Sequence, residues 1–136
     1  MYARVAELPQ HDAARDWLDR RLNGTARVGL AWPSLVTFLR IVTNPRIFER
    51  AERSDTAWMQ VERWLDCEPA WIPTPTERHR ETLGRLLPET SGQPDLVADA
   101  DLAALAIEHG LTLCSMDRDF ARFPGLRWEN PLGPRP

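Results

Sequence analysis

Apolar positions recur at helical spacing in several stretches of the chain, and short uninterrupted apolar runs lie between them. His11–Leu22 places Ala14, Trp17, Leu18 and Leu22 on one side, and Asn23-Gly24 ends it. Arg27–Ala31 is a short buried-strand candidate. Pro33 suits the first turn of a following helix that carries Leu35, Val36, Leu39 and Val42, and Asn44-Pro45 stops it. Ser54 is placed to cap a helix to about Cys67, with Trp58, Val61, Trp64 and Leu65 on one face. Ala70–Ile72 reads as a strand. Thr74-Pro75-Thr76-Glu77 has the form of a capping box and predicts a helix to about Leu87, followed by a loop over Pro88–Gln93. Leu96–Glu108 is a strongly apolar helix stopped by Gly110, and Leu111–Ser115 and Leu126–Trp128 read as strands. Helices alternating with short apolar strands predict an α/β domain with a mainly parallel sheet, in which chemistry gathers at the carboxyl ends of strands.

Length changes the picture little: 136 residues make a single domain over 1–136 with room for a core. The apolar runs are too short to span a bilayer and no basic-then-apolar leader opens the chain, so a cytoplasmic protein is expected. Cys67 and Cys114 form neither a disulfide framework nor a metal knuckle, and Cys114 is expected to be inert in a buried strand. His11, His79 and His109 show no ligand spacing. The net charge of −3 removes a whole-protein basic field for nucleic acid, although all 17 cationic residues are arginine, each a fork able to grip phosphate. An acidic protein acting on a polyanion needs a divalent metal between the two.

That need directs attention to two acid clusters. Asp95, Asp99 and Asp101 surround the start of the Leu96–Glu108 helix; Asp117 and Asp119 follow the strand Leu111–Ser115. Asp95 reads as an ordinary N-cap. Asp101 points roughly 200° around the helix from Asp99 and is not expected to share its site. Converging carboxylates repel, and magnesium or manganese is the usual remedy; such an ion acidifies a bound water for phosphodiester cleavage. From spacing alone the signal is weak, and acid pairs on a solvated surface are the favoured reading. One hydrated ion bridging these groups requires side chains within about 5–8 Å.

The stretch from Asp99 through Ala-Asp-Leu-Ala-Ala-Leu-Ala-Ile-Glu-His to Gly110, followed by Leu111-Thr-Leu-Cys-Ser-Met-Asp-Arg-Asp-Phe120, resembles the C-terminal half of a PIN domain. More narrowly it resembles the VapC toxins of type II toxin–antitoxin pairs. Phe38-Leu-Arg-Ile-Val-Thr-Asn-Pro-Arg-Ile-Phe48 and Leu126-Arg-Trp-Glu-Asn-Pro-Leu132 are similar to segments of one VapC subgroup, so the likeness covers essentially the whole chain. It implies a PIN-like three-layer α/β domain with a mainly parallel central sheet flanked by helices. It also implies a Mg²⁺- or Mn²⁺-dependent endoribonuclease, a cognate VapB-type antitoxin and a homodimer. Carried over by position, Asp99 and Asp117 are the metal ligands and catalytic acids. Asp119 is a further ligand or outer partner, and Ser115 orients a carboxylate or water. Arg40, Asn44 and Arg46 are either RNA contacts at the mouth of the site or a solvated helix end. Six tryptophans add a choice: for Trp17, Trp58 and Trp64, core or helix–helix packing is favoured over an apolar surface for an antitoxin or a second copy, and for Trp32, Trp71 and Trp128 a core role is favoured over stacking on bases.

Two departures stand beside the likeness. PIN domains open with an Asp-bearing strand, and Met1-Tyr2-Ala3 is similar to the tail of that segment, so the N-terminal strand is expected to be missing. The middle acid of typical PIN domains falls on about Leu35, and no carboxylate occurs from Thr25 to Phe48. The rival reading is a catalytically weak or dead PIN remnant that binds an antitoxin; an unrelated domain holding a phosphorylated ligand at a helix N-terminus lacks the expected Gly-rich loop. A chain extended upstream by roughly ten residues, a strand and its turn, is expected to cleave RNA faster than the 136-residue chain; equal cleavage rates for the two would contradict this.

Overall fold

The computed structural model describes residues 11–131. The expectations placed on Met1–Ala3 and from Leu132 onward lie outside them. Five helices and four strands follow in order: α1 His11–Leu22, β1 Val28–Gly29, α2 Trp32–Val42, α3 Ser54–Asp66, β2 Ala70–Trp71, α4 His79–Leu86, α5 Leu96–Glu108, β3 Thr112–Cys114 and β4 Arg127–Glu129. Short 3₁₀ turns occupy Leu87–Thr90 and Arg118–Arg122. The strands pair in parallel, β1 with β2 (Val28 opposite Ala70) and β3 with β4 (Leu113 opposite Trp128), which is the alternating α/β order read from the pattern. Among the described residues these are two separate two-stranded ladders.

Each ladder carries its own apolar cluster. Leu18 and Leu22 of α1, Leu35, Phe38 and Val42 of α2, and Ala57, Val61 and Trp64 of α3 pack with Val28 and Leu30. Phe38 meets Trp64 edge-on at 4.8 Å, and the Trp64 indole N–H donates to Asp19 Oδ1 at 2.9 Å. The second cluster joins Leu86, Ala100, Ala103, Ala104, Leu113, Phe120 and Phe123. Three small alanines on one side of α5 bring its backbone close to β3, and that proximity sets where Asp99 stands. Of the two packing roles expected for Trp58, core or helix–helix, the structure shows the second: Trp58 of α3 stacks on Trp32 of α2 at 6.2 Å with planes 13° apart, and both rings are exposed.

Two local capping signals are not used, the second because of long-range bonds. α3 begins at Ser54 itself, with Arg53 at the cap position and no side-chain cap; the Asp55 carboxylate instead accepts from Thr56 N at 2.9 Å. The expected capping box at Thr74–Glu77 does not form, and α4 starts only at His79. The reason is Glu108, at the far end of α5. Its Oε1 accepts from Thr76 N at 2.7 Å, and its Oε2 bonds His79 Nδ1 at 2.8 Å. The other ring nitrogen, Nε2, meets Asp101 Oδ1 at 2.7 Å, and Arg78 donates to the Glu108 carbonyl oxygen at 2.6 Å. A fully buried carboxylate takes the strongest donors within reach. Here those belong to the segment before α4, so that segment is drawn onto α5 rather than into a first helical turn.

Burial disfavours the His79 imidazolium, but the bonds to Asp101 and Glu108 outweigh it and raise its pKa above the ordinary value. The folded pKa therefore exceeds the unfolded one. The stabilisation is complete below about pH 6.5 and is lost as pH rises through the folded pKa. Stability of the wild type, followed by urea denaturation, falls across that window, and His79→Ala flattens the dependence. The same variant loses roughly 2 kcal/mol at pH 6 through the bonds to charged groups it removes. Two glycines give effects of opposite sign. Gly110 ends α5 at φ +66°, so Gly110→Ala costs about 1–2 kcal/mol. Gly84 lies inside α4 with open space at its Cβ position, so Gly84→Ala gains about 0.5–1 kcal/mol; urea midpoints measure both.

Candidate metal centre

The site is built where α5 begins and β3 ends. Asp99 stands in the early turns of α5 and is 6% exposed. Ser115, the first residue past β3, is fully buried and held at three atoms. Its N–H donates to the Glu129 carbonyl at 3.0 Å, its own carbonyl accepts from the Trp128 indole at 2.9 Å, and its Oγ accepts from Asp117 N at 3.1 Å. The last bond fixes the backbone at Asp117. The Asp117 carboxylate in turn accepts from Asp119 N at 2.9 Å and caps the 3₁₀ turn Arg118–Arg122. Strand end, hydroxyl, carboxylate and turn thus form one connected chain of bonds.

The result is convergence. One carboxylate oxygen from each of Asp99, Asp117 and Asp119 lies within 4.8 Å of the other two. Burial decreases from Asp99 through Asp117 to Asp119, which is exposed and pairs with Arg122 at 3.4 Å. At an effective dielectric of ~20, two ionised carboxylates this close repel by about 3 kcal/mol. A divalent cation removes that repulsion, and an all-oxygen donor set selects a hard one. A thiolate site is not on offer next door: burial pushes the Cys114 thiol up to about 12, which leaves it protonated and inert, as its strand position suggested. Asp101, as expected, faces away and bonds His79.

Beside Asp99 opens a cleft of about 490 Å³. One wall is α2, which presents Ser34, Thr37 and Arg40 at successive helical turns; the other is α5, which presents Asp95 and Asp99. Leu35, on or near which the middle acid of typical PIN domains falls, is fully buried in the first apolar cluster. Ser34, Thr37 and Arg40 are the α2 positions that face the cleft. Arg40 borders the cleft. Asn44 lies past the end of α2 and its Oδ1 accepts from Arg46 N at 2.9 Å, so its side chain shapes the turn that carries the exposed Arg46. Neither borders the cleft.

Asp95 stands at the N-cap position of α5, as its place in the sequence predicts, but makes no side-chain cap bond and borders the cleft. Its spacing of four residues from Asp99 was the available signal, and the strong cap preference of aspartate masked it. Ser34 and Thr37 carried no signal, because a serine after a proline reads as an ordinary helix-start residue and a lone threonine inside a helix as a solvated position. Of the tryptophans weighed for base stacking, Trp128 is tied to Ser115 and Trp71 packs edge-on against His109 at 5.5 Å.

Comparison with known proteins agrees with this geometry. The PIN domain family matches residues 1–126. Ribonuclease VapC37 of Mycobacterium tuberculosis is 40% identical over 131 residues, 96% of this chain and 91% of the relative. VapC ribonuclease Mb2897 of Mycobacterium bovis is 38% identical over 132 residues, covering 97% and 90%. Ribonuclease VapC25 of Mycobacterium tuberculosis is 40% identical over 126 residues, covering 90% and 87%. With a parallel α/β frame, acids converging from α5 and the end of β3, and relatives of this identity over nearly their whole length, the chain belongs to the PIN-domain family and to its VapC ribonuclease branch.

Proposed function

We propose that the chain is the toxin of a toxin–antitoxin pair, an endoribonuclease that hydrolyses RNA phosphodiesters with Mg²⁺ or Mn²⁺. The observation that carries this reading is the approach of Asp99, Asp117 and Asp119 to within 4.8 Å of one another. Asp99 and Asp117 would hold the cation, with Asp119 as a further ligand or an outer partner. Bound there, a divalent cation supplies an acidified water as nucleophile and neutralises charge at the phosphate. The protein's own groups do the rest. Ser115 holds the Asp117 backbone, and Asp117 holds the turn bearing Asp119. Arg40 faces the cleft and receives phosphate charge in a two-point grip. Arg46 lies further along the same path, presented by the Asn44 turn.

An acidic chain meets a polyanion here only through that cation and these few arginines, so binding is local to the cleft. A VapB-type antitoxin and a second copy of the chain are the protein partners of this reading. The exposed Trp32–Trp58 stack, with Val36 and Met59 exposed on the same two helices, offers an apolar surface to one of them. RNA and antitoxin place the work in the cytoplasm, and no helix among the described residues is long and apolar enough to cross a membrane.

Asp99→Asn and Asp117→Asn each lower metal-dependent RNA cleavage by roughly 100-fold or more, and Ser115→Ala by about 10-fold, as loss of an outer support does. Chelator abolishes wild-type cleavage. Calorimetric titration with Mn²⁺ shows binding in the wild type that Asp99→Asn removes. Equal cleavage by all variants, with and without chelator, would eliminate the mechanism.

A further inference from the structure

Ser34 is the one feature of the cleft that the acid cluster leaves unused. It is 3% exposed, and its Oγ is a buried side-chain oxygen with no hydrogen-bond partner among the described residues. Helical hydroxyls ordinarily bond back to a carbonyl one turn earlier. On the same helix Thr37 does so to Pro33 O at 2.9 Å, and Thr43, at the helix end, to Leu39 O at 2.7 Å. Ser34 makes no such bond. A buried hydroxyl without a partner is a standing loss to the folded state. It is tolerable where a ligand completes it.

The composition of the cleft says which ligand. Its α5 wall is anionic, with Asp95 and Asp99; its α2 wall holds Ser34, Thr37 and Arg40. The Thr37 proton is already spent on Pro33, so the side-chain donors left on the α2 wall are Ser34 and Arg40. A group lodged between the walls must carry negative charge toward α2 and tolerate a cation toward α5. A phosphodiester accompanied by a divalent cation satisfies both. We propose that Ser34 is a substrate-binding residue whose Oγ–H donates to a non-bridging oxygen of an RNA phosphate neutralised by Arg40. A side chain with no bond to break is free to change rotamer and meet the incoming oxygen. The inference rests on the nuclease reading and adds to it a donor outside the acid cluster.

The test uses a mixed-sequence RNA 12-mer in Ca²⁺, with affinity read by fluorescence anisotropy, alongside thermal melting and Mn²⁺ calorimetry. Ser34→Ala weakens RNA binding about tenfold, as loss of a bond to a charged acceptor does. It leaves Mn²⁺ affinity unchanged and melts at the same temperature as the wild type or higher. Ser34→Cys, similar in shape but a poor donor, behaves as Ser34→Ala does. A DNA 12-mer of the same sequence loses affinity in parallel, because the contact is to phosphate. Wild-type RNA affinity in both variants, a loss confined to RNA, or a melting point lowered by several degrees would overturn the role. If Mn²⁺ binds the wild type and Ser34→Ala still binds RNA normally, Ser34 alone is refuted. If the wild type binds no Mn²⁺, the nuclease reading fails and takes this proposal with it.

Discussion

Holding like charges together is the constraint around which this molecule is organised. Three carboxylates from two separate stretches stand within 4.8 Å of one another, an arrangement that opposes folding unless something compels it. Two devices compel it. The alanine-lined side of α5 packs against the second cluster and leaves Asp99 no freedom to withdraw. Ser115, bonded at its N–H, carbonyl and hydroxyl, then dictates the path of the chain leaving β3. Packing and hydrogen bonds formed elsewhere thus hold the carboxylates together, and the cluster they make is one that could hold a metal ion.

α5 serves as the shared beam. Asp99 turns toward the metal centre, while Asp101 and Glu108, around the helix and at its far end, grip His79 and the segment before α4. Acids on one helix therefore do opposite work. Those paired with imidazole and backbone N–H groups tie α4 to α5, and Asp99 gathers with Asp117 and Asp119 near the start of the helix. Position around and along the helix, not residue type, separates the two. The bonds from Asp101 and Glu108 favour the charged imidazolium of His79, and they weaken as it loses its proton.

The cleft continues this division of charge. An anionic wall on α5 faces a wall of hydroxyls and guanidinium on α2, and the gap is large enough for a nucleotide-sized group. Such polarity suits a substrate that brings its negative charge and its counterion together. With a net charge of −3 the chain carries no overall basic field, so the mixed charge of the cleft is a local feature and not part of a basic surface.

Helix positions, strand order and the two acid clusters were legible in the sequence because they rest on local periodicity and on short-range stop signals. His11–Leu22 and Leu96–Glu108 are bounded as their apolar spacing and their Asn-Gly or Gly endings require. Asp99, Asp117 and Ser115 were legible through a motif compact enough to survive in one stretch. What escaped depended on partners far along the chain. Glu108 reaches back 32 residues to claim Thr76 N and cancels a capping box that was locally sound. Leu35 and Ser34, adjacent in sequence, divide between core and cleft according to where α3 and α5 lie. Trp58 turns outward to meet Trp32. Periodicity states which positions share a face of a helix; which of those faces meets the core and which meets the acids is decided only when the other helices arrive, since burial and charge pairing are properties of neighbours and not of residues.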